Sequence, residues 1–373
     1  MRPLHILIPF PDFHGGGLEA VALRLAERWR ASGHRVTILV GASDGPMRGR
    51  VPAGVDVRIL EPERPRAAFS GLSLGRYMAD PARELAPDLI FIPGNHHLLA
   101  RPLRAALPRT PIVAKISNPL LMPPLSDPRL TWLARPALRI ATSGIDWFVA
   151  LSYGLAQEAR FQLGHNRVST ILNPNVDDDP LTHFIFRPPL AASETLTIAL
   201  VGRLEPQKDI PLALRTVQRV AARRPVHLHV YGDGGERARI GAMIARLGLR
   251  ETVTLAGYTD NVKGALASAR LLLVASRFEG VPGVVPEATA LGLPVVTTPC
   301  SHFVREFLKN ESLGRVVEEG TPDALAAAIL RQAAIAGPDA TVAAQALEPL
   351  RQSTSAGHYL DLFERLLRER EAL

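Results

Sequence analysis

A chain of 373 residues is long enough for two domains of ordinary size, and its apolar fraction of 47% excludes a disordered or low-complexity protein. The formal net charge is +7 and comes mostly from arginine, which suits nucleic acid, anionic lipid or phosphorylated substrates but equally reflects a GC-rich genome. Because no basic run contains interleaved aromatic residues, we expect no nucleic-acid partner.

Cysteine use and the N-terminal segment indicate the compartment. The single cysteine, Cys300, excludes an intramolecular disulfide and fits a reducing environment. The apolar run near the N-terminus is short and is interrupted by Pro9 and Pro11, unlike that of a signal peptide. No apolar run approaches the roughly 20 residues that span a bilayer. We therefore expect a cytoplasmic protein, whose positive charge also admits peripheral contact with an anionic membrane at the inner face.

The first half of the chain has the pattern of a parallel α/β domain. Residues 4–8 are predicted as a strand, 15–17 as a glycine turn, 19–32 as a helix and 36–40 as the next strand. This order is a βαβ unit, which implies a parallel sheet. Further strands are predicted over these segments: 55–60, 89–92, 112–116 and 147–151.

The pattern restarts in the second half. It begins with a strand over 196–201, a polar loop over 202–208 and a helix over 211–222. Four further strands are predicted over 226–231, 253–255, 271–275 and 294–298. The proline-containing segment 177–195 is predicted as a linker, and 355–373 as an amphipathic helix. The expected organisation is therefore a domain over 1–180, a domain over 195–354 and a terminal helix over 355–373.

Two glutamates separated by seven residues carry the strongest chemical signal. A predicted strand ends at Ala275 and a helix is predicted to begin near Val284, which puts Glu279 on a loop and Glu287 early in the helix. Backbone N–H groups from Gly283 onward favour an anion, and carboxylates accept hydrogen bonds from ribose or sugar hydroxyls. The alternative is a solvated loop glutamate followed by a helix-capping one.

Two further loops follow predicted strands. Arg203 and Lys208 lie on the loop after residue 201, where two cations suit a diphosphate leaving group, although two exposed surface cations are the plain alternative. The turn at 14–19 has glycines that allow close approach to a phosphate, or that simply make a tight turn. It lacks the G-x-G-x-x-G order, which disfavours a nicotinamide dehydrogenase.

Taken together, these segments resemble the retaining family-4 glycosyltransferases, which have the two-domain GT-B fold. The resemblance extends over most of the chain and is carried by these segments: 16–19, 149–152, 172–175, 202–208, 231–234, 256–258, 279–287 and 290–296. It implies an α/β fold of two doubly wound, Rossmann-like domains facing a cleft, with ligands at the carboxyl ends of the strands. It also implies an acceptor-side N-terminal domain, a nucleotide-sugar-binding second domain and a final helix that crosses back to the first.

The resemblance assigns roles to individual residues. Glu279 matches the glutamate that contacts the donor sugar, and Glu287 matches the one that binds the nucleotide ribose. Arg203 and Lys208 match the pair on the donor phosphates. Gly16 and Gly17 match the loop that closes over the diphosphate. The remaining donor-binding positions are Gly202, Gly232, Gly257, Tyr258, Gly280, Val281, Pro282, Gly283 and Val284.

The sequence departs from the family at the strand that ends near residue 116. Many members carry a histidine just after this strand, where this chain has Ser117 and Asn118. His96 and His97, after the preceding strand, are the alternative candidates for the reaction centre, or are ordinary surface residues. Pro286 is unusual before the second glutamate, but a first helical turn tolerates it.

The expected reaction uses no cofactor and no metal. Residues 177–179 satisfy the D-x-D pattern of a metal-binding glycosyltransferase fold, but no predicted strand precedes them and a solvated turn fits better. The resemblance implies transfer of a sugar from a nucleoside diphosphate sugar, most simply a UDP-sugar, with retention, to a glycan or lipid-linked acceptor. A nucleotide-sugar epimerase and a catalytically silent interaction protein of the same fold are the alternatives.

Overall fold

The computed structural model describes residues 2–14, 17–64, 70–121 and 127–371. The chain divides into two compact units. Unit 1 contains residues 1–174 and 352–373, and unit 2 contains residues 175–351. Both are parallel α/β units of the doubly wound, Rossmann-like type predicted from the sequence.

Unit 1 is built on a parallel sheet with the strand order β3-β2-β1-β4-β5-β6-β7. The strands are β1 His5–Phe10, β2 Arg35–Val40, β3 Asp56–Ile59, β4 Leu89–Ile92, β5 Ile112–Ile116, β6 Trp147–Ala150 and β7 Val168–Thr170. The helices are α1 Gly17–Ala31, α2 Ser70–Leu85, α3 Ala100–Ala106, α4 Pro128–Ala141, α5 Tyr153–Leu163 and α13 Gln352–Glu371. Strand order reverses at β1, which pairs with β2 on one side and β4 on the other.

The terminal helix α13 completes the core of unit 1. It begins at Gln352, three positions before the predicted start, and buries Tyr359 and Phe363 against Trp29 and Phe91. The Trp29 indole N–H donates a hydrogen bond to the Ala356 carbonyl at 3.2 Å. Aromatic rings in edge contact contribute beyond their buried area, so α13 is an integral part of unit 1.

Unit 2 has a second parallel sheet with the order β10-β9-β8-β11-β12-β13. The strands are β8 Leu196–Val201, β9 Val226–Tyr231, β10 Val253–Gly257, β11 Leu271–Val274, β12 Val295–Thr297 and β13 Gly314–Val316. The helices are α6 Ile210–Ala221, α7 Arg237–Arg246, α8 Val262–Ala267, α9 Val284–Ala290, α10 His302–Phe307, α11 Pro322–Ala333 and α12 Ala340–Leu347. Side-chain caps fix several helix starts, for example Asp209 before α6 and Thr321 before α11.

The segment 177–195 lies within unit 2. The buried Arg187 fixes it there, because its guanidinium donates hydrogen bonds to the carbonyls of Ala267 and Ala269 at 3.0 and 3.2 Å. These bonds satisfy a charge that would otherwise be costly to bury. Of the helices in the described part of the chain, none has the length and apolar character needed to cross a membrane.

Candidate functional site

The predicted site residues of unit 2 lie where its strand order reverses. Strand β8 has β9 on one side and β11 on the other, so the chains leaving β8 and β11 diverge at the carboxyl edge of the sheet. In open parallel sheets, ligands bind in the crevice at such a switch point. Lys208 follows β8 and Glu279 follows β11, which brings two candidates from different motifs to one point.

The loops after β8, β9 and β10 lie edge to edge. The Gly202 N–H donates to the Tyr231 carbonyl at 2.9 Å, and the Gly232 N–H donates to the Gly257 carbonyl at 2.7 Å. Gly232 has φ of +139°, and a β-carbon there would lie 1.9 Å from the Gly202 carbonyl oxygen. Only glycine fits position 232. The backbone hydrogen bonds place the predicted glycines at 202, 232 and 257 next to one another along the edge of the sheet.

Lys208 and Glu279 form an ion pair. The Lys208 Nζ lies 2.6 Å from the Glu279 Oε1, and the two side chains are 21% and 11% exposed. A pair this short and this well shielded from water is stronger than an exposed one, but it stays within reach of a ligand. In this arrangement a cation that can bind a phosphate lies beside a carboxylate that can accept a hydrogen bond from a hydroxyl.

Hydrogen bonds join the two loops that carry this pair. The Arg277 N–H donates to the Gln207 carbonyl at 2.8 Å, and the Gln207 side-chain amide donates to the Phe278 carbonyl at 2.8 Å. The Glu279 N–H donates to the Cys300 carbonyl at 2.7 Å, which ties the same loop to the loop after β12. Sequence reasoning missed Gln207, because nothing in its spacing distinguishes it from a solvated glutamine.

Asp209 is a second residue that sequence reasoning missed. Its φ is +43°, its carboxylate caps α6 by accepting from the Leu212 N–H at 3.3 Å, and it pairs with Arg277 at 3.0 Å. Aspartate is one of the residues that tolerate this left-handed conformation. An aspartate two positions before Pro211 is a readable cap signal for a helix start.

Arg203 and Tyr258 are exposed at the same edge of the sheet. Arg203 lies on the loop after β8, and its guanidinium has no hydrogen bond or ion pair with any residue that the structure describes. Tyr258 follows β10 and is 73% exposed. Both side chains are therefore available to a ligand, although their predicted roles stay predictions.

Helix α9 begins at Val284, as predicted, and places Glu287 in its first turn. Glu287 is half-buried, and Pro286 is tolerated in the first turn because its missing N–H has no helical partner there. Residues 280–283 form the connecting loop, in which Pro282 is buried. A β-carbon on Gly283 would lie 3.2 Å from the Asn175 Nδ2, so the backbone runs close to that amide.

The glycine turn of unit 1 is described only in part. Gly16 lies outside the described residues, and Gly17 begins α1. The next residue, Leu18, packs on the loop after β4, where a β-carbon on Gly94 would lie 1.9 Å from its Cδ1. The loops after β1 and β4 therefore meet at the switch point of the unit 1 sheet, and the predicted phosphate role of Gly17 stays a prediction.

The two candidate histidines of unit 1 have different environments. His97 is buried edge-on to Phe148, its Nε2 lies 3.1 Å from the Lys115 carbonyl, and burial lowers its pKa to about 4. A neutral imidazole that bonds a strand carbonyl is typical of a structural residue. His96 is half-buried on the same loop and is the better placed of the two for contact with a ligand.

Lys115 is a buried cation that sequence reasoning did not single out. It is 1% exposed in β5, its Nζ donates to the Asn173 Oδ1 at 2.9 Å, and burial lowers its pKa to about 7. The buried Glu19 opposes this shift through its negative charge. A lysine inside an otherwise apolar strand was the available signal, because strands buried on both faces are almost entirely apolar.

Within the described ranges, no group of three or more His, Cys, Asp or Glu side chains is arranged to hold a metal. Of the aspartates at 177–179, Asp177 forms an exposed ion pair with Lys263 at 3.2 Å. The Asp179 carbonyl accepts a hydrogen bond from the Thr182 hydroxyl. These contacts describe a surface turn, and metal-independence stays a prediction.

Two sequence profiles match this chain. The profile described as "Glycosyltransferase Family 4" matches residues 15–178, and the one described as "Glycosyl transferases group 1" matches residues 195–334. The first falls largely on unit 1 and the second lies within unit 2. Together they include every residue of the candidate site described above.

Individual relatives are similar over shorter lengths. An "Uncharacterized glycosyltransferase" of Haemophilus influenzae is 29% identical over 155 residues, which are 41% of this chain and 42% of that protein. The "Poly(glycerol-phosphate) alpha-glucosyltransferase" of Bacillus subtilis is 29% identical over 158 residues, which are 42% of this chain and 23% of that protein. The chain thus spans less than half the length of these curated relatives.

A solved structure matches nearly the whole fold. The Anabaena protein HepE, in complex with UDP and glucose, superposes with a TM-score of 0.76 over 97% of this chain and 99% of its own. The two sequences are 19% identical, so this likeness concerns the fold. It identifies the fold as GT-B.

Proposed function

The chain belongs to the group 1, family-4 glycosyltransferases, and from this membership we propose that it transfers a sugar from a UDP-sugar to a glycan or lipid-linked acceptor, with retention of anomeric configuration. Transferase chemistry is common to the proteins it resembles. The proposal adds the donor, the acceptor class and the stereochemistry. The proposal is supported by the charged side chains of the unit 2 site, which are complementary to a diphosphate and its sugar.

The Lys208–Glu279 pair is the observation that carries the proposal. A cation and a carboxylate 2.6 Å apart at a switch point can bind different parts of one nucleotide sugar. The ammonium binds a phosphate oxygen, and the carboxylate accepts hydrogen bonds from sugar hydroxyls. Donor binding then exchanges the ion pair for contacts with the ligand, so both groups keep a hydrogen-bonding partner.

Arg203 supplies a second cation on the same loop. Its planar guanidinium can bind two phosphate oxygens at once, which a lysine cannot do. Negative charge grows on the diphosphate as the bond to the sugar breaks, so Arg203 and Lys208 bind the transition state more tightly than the donor. The departing diphosphate is thereby stabilised by residues of this chain.

The proposed nucleotide and the proposed acceptor are supported by different observations. HepE was solved with UDP and glucose, which supports UDP as the nucleotide, and Glu287 is the residue we assign to its ribose. The Bacillus subtilis relative is named for a poly(glycerol-phosphate) acceptor. A net charge of +7 suits an acceptor that is itself anionic or is held at an anionic surface.

The direct test is to incubate the protein with a panel of nucleotide sugars and to measure nucleotide release, with and without glycan and lipid-linked acceptors. We expect release from UDP-sugars that increases with acceptor and is lost in Lys208→Ala. The matched control is Lys263→Ala, which removes an exposed lysine of the same unit. Donor binding without turnover would point to a silent interaction protein, and epimerised donor without acceptor would point to an epimerase.

A further inference from the structure

Helix α4 of unit 1 exposes its apolar face. Leu130, Trp132, Leu133 and Ile140 are 37%, 64%, 53% and 59% exposed, whereas Thr131 is fully buried. In α13 of the same unit the apolar face is buried instead. A contiguous apolar surface that is exposed to water in this way usually marks a site of contact with another molecule or with a membrane.

The exposed residues of α4 form one continuous stripe. Besides the four large apolar side chains, Pro136 and Ala137 are also exposed. At about 100° per residue, the exposed positions fill roughly half of the helix circumference along its length. The start of the helix is fixed, because Asp127 caps it by accepting from the Arg129 N–H at 2.8 Å.

The charged residues within α4 are all positive. Residues 128–141 include Arg129, Arg135 and Arg139 and no acidic residue. The Arg135 guanidinium lies over the Phe161 ring of α5 at 5.1 Å, and its Nη2 donates to the Phe161 carbonyl at 2.6 Å. Phe161 is itself 47% exposed, so it extends the apolar surface beyond α4.

We propose that the exposed face of α4, together with Phe161, docks on a bilayer that contains anionic phospholipid. An amphipathic helix with Trp and Leu on one face and arginines beside it is suited to the plane of the interface between headgroups and acyl chains. The arginines add attraction to anionic headgroups. The proposal deepens the proposed function, because a lipid-linked acceptor is presented at such a surface, but donor binding in unit 2 does not depend on it.

Tryptophan fluorescence provides a built-in probe. The chain has three tryptophans, of which Trp29 is fully buried, Trp147 is half-buried and Trp132 is the exposed one. Vesicles of phosphatidylcholine with phosphatidylglycerol should shift the emission of the wild-type protein to shorter wavelength. Trp132→Phe should still sediment with these vesicles but lose the shift, because phenylalanine preserves the apolar contact and removes the reporter.

Paired substitutions test the surface itself. Trp132→Ser with Ile140→Ser should weaken vesicle binding by at least about tenfold, since two interfacial anchors are lost. The matched control is Ile185→Ser with Phe186→Ser, which removes two apolar side chains of unit 2 that are 49% and 52% exposed.

A second pair of substitutions tests the arginines of α4. Arg129→Gln with Arg139→Gln should weaken binding to anionic vesicles in particular. The matched control on unit 2 is Arg246→Gln with Arg250→Gln.

Several outcomes would overturn the proposal. One is vesicle binding that survives the α4 serine pair, and another is an equal loss in the unit 2 control. A wild-type dimer that ignores vesicles and dissociates in Trp132→Ser would make this face a contact between copies of the chain. UDP affinity, measured without vesicles in the same variants, separates a failure of this surface from a failure of the donor site.

Discussion

Two lysines near the carboxyl edges of the two sheets have opposite environments. In unit 1, Lys115 is buried in β5 with Asn173 and Glu19, and burial lowers its pKa to about 7. In unit 2, Lys208 lies on a loop, 21% exposed, and pairs with Glu279 at 2.6 Å. The neighbours of Lys115 are buried with it, whereas Lys208 has a partner that a ligand can replace.

The difference separates two uses of the same side chain. A buried ammonium is costly, so it persists only where neighbours compensate for lost hydration, and it then acts on folding. A partly exposed ammonium on a loop keeps some contact with water and can exchange one anion for another. We therefore expect substitution of Lys208 to act on turnover and substitution of Lys115 to act on stability.

The largest effect should come from the loop cations of unit 2. Lys208→Ala and Arg203→Ala should each lower kcat by about 10²–10³-fold, with a smaller rise in donor KM, because both stabilise charge that appears in the transition state. Arg203→Lys should also be impaired, since lysine lacks the planar fork. Steady-state kinetics with circular dichroism as the folding check measures this.

The control for these variants is Lys309→Ala, which removes an exposed lysine after α10. It should leave kcat at the wild-type value. If the two loop variants also keep near-normal kcat, they are ordinary surface cations and the diphosphate assignment is wrong.

The pH dependence of stability should reveal Lys115. Its pKa is about 7 in the folded protein and 10.5 when exposed. Between these values the unfolded chain binds the proton that the folded protein has released, so the free energy of unfolding rises with pH, by up to ~1.4 kcal/mol per pH unit. Below pH 7 both states are protonated and this slope vanishes. Lys115→Met removes the slope, so the stability of the wild type relative to the variant should increase between pH 7 and 10.

Denaturant unfolding followed by tryptophan fluorescence measures this contribution, because all three tryptophans belong to unit 1. Lys309→Met is the control, since it removes an exposed lysine of unit 2. A stability difference between the wild type and Lys115→Met that does not change with pH would mean that Lys115 keeps its proton across this range.

Much of the fold could be predicted from the sequence, because strong local patterns specify it. Short apolar runs alternating with helical periodicity predicted the positions along the chain of most of the parallel strands, but not their order within each sheet. The strands β7 and β13 were not predicted, because each has three residues of which only one is a large apolar side chain, so neither forms a readable apolar run. The exposed apolar face of α4 was also not predicted, since a periodic pattern does not tell which face of a helix is buried.

The candidate site was predictable in its residues but not in its pairing. Family motifs selected Lys208 and Glu279 separately, and only the neighbouring positions of β8 and β11 bring them to 2.6 Å. Contacts between residues 71 positions apart leave no local trace in the sequence. For the same reason Lys115 and Asn173 were not recognised as a buried pair.

Substitution of the Glu287 carboxylate should have a smaller effect, on the binding of UDP. Glu287 is half-buried at the start of α9, and we assign it to the nucleotide ribose. Glu287→Gln keeps the shape but loses the charge, so it should weaken UDP binding by ~1–3 kcal/mol, as for a hydrogen bond to a charged group. Calorimetry with UDP measures this, and Glu306→Gln on α10 is the control. Unchanged affinity for UDP would remove Glu287 from the site.

The smallest expected effect is that of removing divalent metal. If Arg203 and Lys208 neutralise the departing diphosphate, no cation needs to be added, and activity should survive EDTA at its full value. Loss of activity in EDTA, with recovery in magnesium or manganese, would mean that a metal performs part of the role given to Lys208. The same titration in Lys208→Ala sharpens the test: if added magnesium restores the variant while the wild type ignores it, the lysine and the metal are interchangeable charges at one phosphate. If added magnesium does not restore the variant, the position of the ammonium and not its charge alone makes Lys208 effective, which fits an ammonium that Glu279 holds in place before the donor binds.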